Sequence, residues 1–66
     1  MKTVIYKGIK LEVSNWVNFI AMDKDGQIIG YENKPIADCD QWIINSGMWE
    51  VITTFTTDWE NSLEEI

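Results

Sequence analysis

The 66-residue chain reads as a mainly β protein: a β-rich α+β fold with a small antiparallel sheet of four to six strands, built from hairpins and ended by a short C-terminal helix. Three observations predict this. Ile9, Leu11 and Val13 alternate strictly with Lys10 and Glu12, the period-two pattern of a half-buried strand. Two β-prone runs flank the Asp/Gly cluster Asp23-Lys24-Asp25-Gly26, a hairpin signal. The last ten residues change period, with Trp59, Leu63 and Ile66 at i, i+4 and i+7.

Each element follows in turn. Thr3–Lys7 and Ile9–Val13 make a first hairpin that turns near Lys7-Gly8, and Ser14-Asn15 breaks the pattern. Val17–Met22 and Gln27–Glu32 make a second. There Lys24 and Asp25 occupy right-handed turn positions and Gly26 takes the positive-φ bulge position of a three-residue loop. Asp23 is expected to accept a bond from an amide two residues on. Pro35, which has no amide to donate, ends the strand.

Residues 36–41 fit one helical turn capped by Asp38 and Gln41, and equally an acidic loop. Gln41–Asn45 and Met48–Ile52 surround Asn45-Ser46-Gly47, a third hairpin signal, and Thr53–Thr56 continues the β tendency. Thr57-Asp58-Trp59-Glu60 matches a capping box, with Asp58 and Glu60 suited to the positive end of a helix dipole. A helix of about ten residues is marginal alone, so it must dock on the sheet or on a partner.

The length allows one domain over residues 1–66 that buries only roughly 60% of its unfolded surface. Four tryptophans, two tyrosines and two phenylalanines offset that, because each ring buries about 150–250 Å². Core packing is the expected fate of most of them. Cys39 is the sole cysteine and forms no internal disulfide, which suits a reducing cytoplasm. The N-terminal stretch is interrupted by Lys7, Gly8 and Lys10, unlike a signal peptide, and no run approaches the 18 or so apolar residues of a membrane span.

Charge is distributed unevenly. Residues 1–34 hold all five lysines and four acids, whereas residues 35–66 hold seven acids and no base. Phosphate backbones repel such a half, so direct nucleic-acid binding is not expected and a basic protein surface suits it better. An acidic surface also serves solubility alone. Base stacking needs aromatics beside cations, and here the tryptophans sit mostly away from the lysines.

Chemistry finds few candidates. An EF-hand loop counted from Asp23 meets Gln27 at position 5, Ile28 where glycine belongs and Lys34 at the bidentate position, so calcium is excluded in favour of a turn. Without histidine there is no ordinary nucleophile–imidazole pair and no imidazole for zinc, and without arginine no bidentate phosphate clamp. Cys39 lies between Asp38 and Asp40, whose charges disfavour a thiolate. The chain is thus expected to be non-enzymatic and to need no cofactor or metal. A protein-binding role remains. The candidate contact residues are Asp38, Asp40, Asp58, Trp59, Glu60, Glu64 and Glu65, with Trp59 set among acids as on a helix laid into a basic-rimmed groove. Simple coverage of the sheet by Trp59, Leu63 and Ile66 is the structural alternative.

Three features together, Asp23–Pro35 (DKDGQIIGYENKP), Trp42 downstream, and Asp58–Leu63 (DWENSL), resemble a class of small uncharacterised proteins of tailed bacteriophages and prophages. The similarity covers roughly residues 16–63. It implies a phage origin and action in the cytoplasm of a bacterial host, and it brings no catalytic residues with it. The expected function is an accessory protein that binds and modulates, by inhibition, a host protein with a basic surface. Two alternatives stand beside it. One is a DNA mimic whose carboxylates imitate phosphates. The other is a small virion or assembly component that self-associates through a sheet edge, of whose residues only Lys7, Lys10 and Pro35 look like edge blockers.

Overall fold

The computed structural model describes residues 1–38, 42–54 and 62–66. They form the strands β1 (Lys2–Tyr6), β2 (Ile9–Val13), β3 (Phe19–Met22), β4 (Gln27–Tyr31), β5 (Ile36–Ala37), β6 (Trp42–Ile43), β7 (Trp49–Thr54) and β8 (Glu64–Glu65). No helix occurs among the described residues. Every pairing is antiparallel: β1 with β2, β5 with β6, and a four-stranded sheet in the order β7-β4-β3-β8.

The first two hairpins follow their turn chemistry. Lys7 (φ 49°) and Gly8 (φ 79°) are both left-handed between the paired Tyr6 and Ile9, the signature of a two-residue type I′ turn whose twist matches the strands. In the second, Gly26 has φ 93° and its amide donates to the Asp23 carbonyl at 2.8 Å, while the Asp23 amide donates to the Gln27 carbonyl at 2.9 Å. This is the three-residue loop with a glycine bulge that the sequence predicts. One detail is corrected: it is Asp25, not Asp23, whose carboxylate accepts from an amide two residues on, that of Gln27 at 3.1 Å. The Asp23 carboxylate instead accepts from the Trp42 amide at 3.0 Å, holding β6 to the β3–β4 turn.

Two other expectations are overturned. Asn45-Ser46-Gly47 does not close a hairpin. Strand β6 pairs with β5, and β7 crosses to pair with β4 in the register Tyr31↔Trp49, Gly30↔Glu50 and Ile29↔Val51, with a bulge between Ile28 and Ile29. At the C-terminus Glu64–Glu65 is strand, paired with Ile20 and Phe19, where a helix running to Ile66 was expected. The capping-box segment, residues 57–60, lies outside the described residues. The open main chain of β3 offers ladder bonds to Glu64, and the Ile66 amide continues them to the Asn18 carbonyl at 2.9 Å. A marginal isolated helix competes poorly with such an edge.

Apolar side chains pack on both faces of the four-stranded sheet. On one face Ile20, Met22 and Ile28, with Val17 from the loop before β3, meet Tyr6, Leu11 and Val13 of the β1–β2 hairpin. On the other, Ala21, Ile29 and Tyr31 are covered by Phe19, Trp42 and Leu63. Gly30 makes the first layer close: a methyl group there would lie 2.9 Å from Val17 Cγ2 and 3.2 Å from Ile52 Cδ1. Core packing was expected for most of the aromatic rings. Among the described residues Tyr6 and Tyr31 are the largest fully buried side chains, Trp16 and Trp42 pack half-buried against the two clusters, and Trp49 departs from the expectation by being exposed.

Ser62 ties the layers together. Its hydroxyl accepts from the Met22 amide at 2.8 Å and from the Trp42 indole at 3.3 Å, and donates to the Met22 carbonyl at 3.1 Å. Its own carbonyl accepts from the buried Tyr6 hydroxyl at 2.6 Å. One residue thereby links the β1–β2 hairpin, β3 and the β5–β6 ribbon. No buried side-chain nitrogen or oxygen among the described residues lacks a partner.

Burial also sets the alkaline limit of stability. It pushes the Tyr31 phenol far above its usual value of 10.0, with help from the Asp23 charge. It raises Tyr6 too, opposed by the Ser62 side-chain hydroxyl and reinforced by the Glu64 charge. A raised folded-state pKa means that above pH 10 the unfolded chain releases protons the folded one retains. The stabilisation is complete below that pH and is lost as pH rises toward the folded values. The expected slope is about 1.4 kcal/mol per pH unit for each tyrosine. Urea midpoints measured from about pH 9 to about pH 11 should fall steeply above 10, and tyrosinate absorbance should rise together with unfolding. A flat profile with tyrosinate formed in the folded state would contradict this.

Candidate functional site: the outer strand of the sheet

The two edges of the four-stranded sheet are managed differently. Strand β8 is short and consists of two glutamates, a charged edge that discourages further pairing. The β1–β2 hairpin holds it from one side, through an ion pair of 3.1 Å between Lys7 and Glu64; at this exposure such a pair contributes little. Strand β7 runs over six residues, Trp49-Glu50-Val51-Ile52-Thr53-Thr54, with no lysine and no proline. Of the residues expected to block edges, Lys7 and Lys10 belong to the β1–β2 hairpin, and Pro35 is buried ahead of β5.

Alternation along β7 sends its side chains to two environments. Glu50 and Ile52 face the β1–β2 layer. There the Glu50 carboxylate accepts from the Ser14 amide at 2.9 Å and the Ser14 hydroxyl at 2.8 Å, and Ile52 packs against the Tyr6 core. Trp49 and Val51 lie on the other face beside Tyr31 and Ile29, yet are 50% and 49% exposed. The β5–β6 ribbon carries exposed apolar residues of its own. Trp42 turns inward, so its strand neighbour Ile43 and the paired Ile36 face outward, and Ile36 is 54% exposed. Met48, just before β7, is 50% exposed; its amide donates to the Glu32 carboxylate at 3.1 Å and its carbonyl accepts from the Glu32 amide at 2.9 Å.

The sequence-predicted contact residues are dispersed. Asp38 is exposed immediately after β5. Glu64 and Glu65 occupy successive positions of β8 on the opposite edge from β7, so their side chains leave on opposite faces of the sheet. Asp40, Asp58, Trp59 and Glu60 lie outside the described residues. The structure adds Ile36, Ile43, Met48, Trp49 and Val51. Sequence reasoning assigned the tryptophans to the core and the Met48 strand to a local hairpin. The signal within reach was the absence of any lysine or proline on so long an apolar strand.

For chemistry the surface offers little. Among the described residues no group of three or more His, Cys, Asp or Glu is placed to hold a metal ion, and Asp23 and Asp25 each have a carboxylate oxygen accepting a main-chain amide bond. No helix among them is long and apolar enough to cross a membrane. What the arrangement can do is bind, through apolar side chains and a row of main-chain groups. The chain matches no protein-family model, no curated protein and no solved structure, so the functional reading rests on these residues and their geometry.

Proposed function

We propose that this is a non-enzymatic accessory protein of a phage or prophage, which binds a bacterial host protein in the cytoplasm and modulates it by inhibition. One observation carries the binding role. Of the nine exposed large apolar residues among the described ones, seven (Ile36, Ile43, Ile44, Met48, Trp49, Val51 and Ile66) fall in the half of the chain that holds seven acids and no base. Exposed Met48, Trp49 and Val51 supply an apolar strand with an aromatic anchor, as protein interfaces use, and the negative sign of this half favours a partner with basic character. The phage origin is supported by the DKDG…YENKP and DWENSL resemblance alone.

The test is affinity capture from bacterial lysate, followed by binding measurements on the captured protein. Trp49→Ala is expected to weaken binding about 30-fold, as loss of an interface anchor does. Charge reversal at Glu60, Glu64 and Glu65 is expected to slow association and flatten its salt dependence. A captured protein that bound all variants equally would show that neither surface is the contact. Strand β7, which has no further strand beside it among the described residues, favours a second reading, self-association through that edge. Light scattering over a range of concentrations separates the two, because a strict monomer excludes it.

A further inference from the structure

Main-chain phase makes β7 more than an apolar strip. In an antiparallel ladder, bonded and non-bonded pairs alternate. The bond from the Glu32 amide to the Met48 carbonyl therefore makes Gly30/Glu50 the next bonded pair and leaves Tyr31/Trp49 and Ile29/Val51 non-bonded. The amide and carbonyl groups of Trp49 and Val51 thus point away from β4, to the side where the sheet has no further strand among the described residues. The same two residues present the half-exposed side chains. Donors, acceptors and apolar surface coincide on one short segment.

Resting on the protein-binding reading above, we propose that β7 is a strand-addition site, and that its occupant is an extended segment of the partner in which apolar and basic residues alternate. Alternation follows from the two faces of β7. Apolar side chains of the added strand would lie beside Trp49 and Val51, and the intervening ones would lie on the Glu50 side. Basic character follows from charge. Glu32 at the Met48 end and Glu50 on the strand border the site, and the chain carries no cation after Lys34. A second copy meeting the first through β7 would bring two such acidic halves together, so a heterologous basic strand is the better complement.

The test uses the full 15N-labelled chain and amide hydrogen exchange. In the free protein the Trp49 and Val51 amides should exchange without protection while that of Glu50 is protected. A capped synthetic peptide of four Val-Lys repeats is the probe. Binding with a Kd on the order of 1 mM or tighter is expected. At ten times that Kd it should slow exchange at Trp49 and Val51 by about tenfold. A Val-Glu peptide of equal length should leave both amides unchanged. Val51→Pro removes only an outward-facing amide, so the β4 ladder survives and peptide protection is lost at Trp49. Should that variant fail to fold, Val51→Lys puts a cation on the edge and should abolish Val-Lys binding equally.

Three results overturn the proposal: no protection at Trp49 and Val51 with saturating Val-Lys peptide, equal protection by the Val-Glu peptide, or protection that grows with protein concentration alone and so assigns the edge to a second copy. The lysate partner separates this proposal from the reading beneath it. A partner lost on Trp49→Ala but kept on Val51→Pro refutes strand addition and leaves protein binding standing, whereas loss on both supports the two together.

Discussion

Tyr6→Ala is expected to leave most of the protein unfolded at 25 °C. The ring is fully buried at the junction of the β1–β2 hairpin with Val17, Ile20, Met22 and Ile28. Removing a buried aromatic ring costs about 3–5 kcal/mol. Alanine also leaves the Ser62 carbonyl without its 2.6 Å donor. A domain of this length has only about 3–10 kcal/mol to lose. Tyr6→Phe separates the two contributions: it keeps the ring and removes the hydroxyl, and should cost about 1–2 kcal/mol. Urea unfolding followed by circular dichroism measures both. A Tyr6→Ala midpoint close to wild type would mean that the hairpin does not depend on this contact.

Ser62→Ala should destabilise by about 2–3 kcal/mol, a large effect for the loss of one oxygen atom. Its hydroxyl substitutes for a ladder partner at the end of β3, where it both accepts from the Met22 amide and donates to the Met22 carbonyl. Alanine strands those two buried main-chain groups and takes an acceptor from the Trp42 indole. For a chain this small the melting temperature should fall by on the order of 10 °C. Faster hydrogen exchange at Met22, with the β1–β2 amides unchanged at a denaturant-corrected stability, would localise the defect. A variant within about 0.5 kcal/mol of wild type would show that water replaces the hydroxyl at no cost. Tyr6→Phe and Ser62→Ala touch the same residue, so their effects are expected to couple rather than add.

How much of this was legible in the residues depends on the range of each interaction. The Lys7-Gly8 and Asp23–Gly26 turns were readable because positive φ is a property of single residues and the bonds close within four positions. The alternation of Ile9, Leu11 and Val13 correctly named the inward face of β2. Asn45-Ser46-Gly47 misled because a turn signal states that the chain can reverse, not which strand it will then pair with. Gly47 is indeed left-handed at φ 81°, yet β7 joins β4. The C-terminal stripe misled similarly. Leu63 packs inward, in line with the sheet-covering alternative, but from the segment leading into a strand, because β3 had a side for Glu64 to join. Of the candidate contact residues, Asp38 and Glu65 are exposed and Glu64 is half-buried, whereas Met48–Ile52 had been read as one arm of a local hairpin rather than as an outer strand.

The sequence by itself determined the β character of the chain, two of its hairpins, the division into a lysine-bearing half and an acidic half, and the absence of imidazole and guanidinium chemistry. These are local or compositional properties, carried by residue type and spacing. Tertiary structure alone decided that Tyr6 and Tyr31 are fully buried while Trp16 and Trp42 pack half-buried against the core, that Ser62 joins three layers, and that β7 is an outer strand among the described residues with Trp49 and Val51 exposed. Each depends on which strands meet across long separations in the chain. Strand pairing bonds use main-chain groups that every residue but proline carries in full, so the residues of β7 do not themselves record which strand they will pair with or that, among the described residues, only one of its sides is paired.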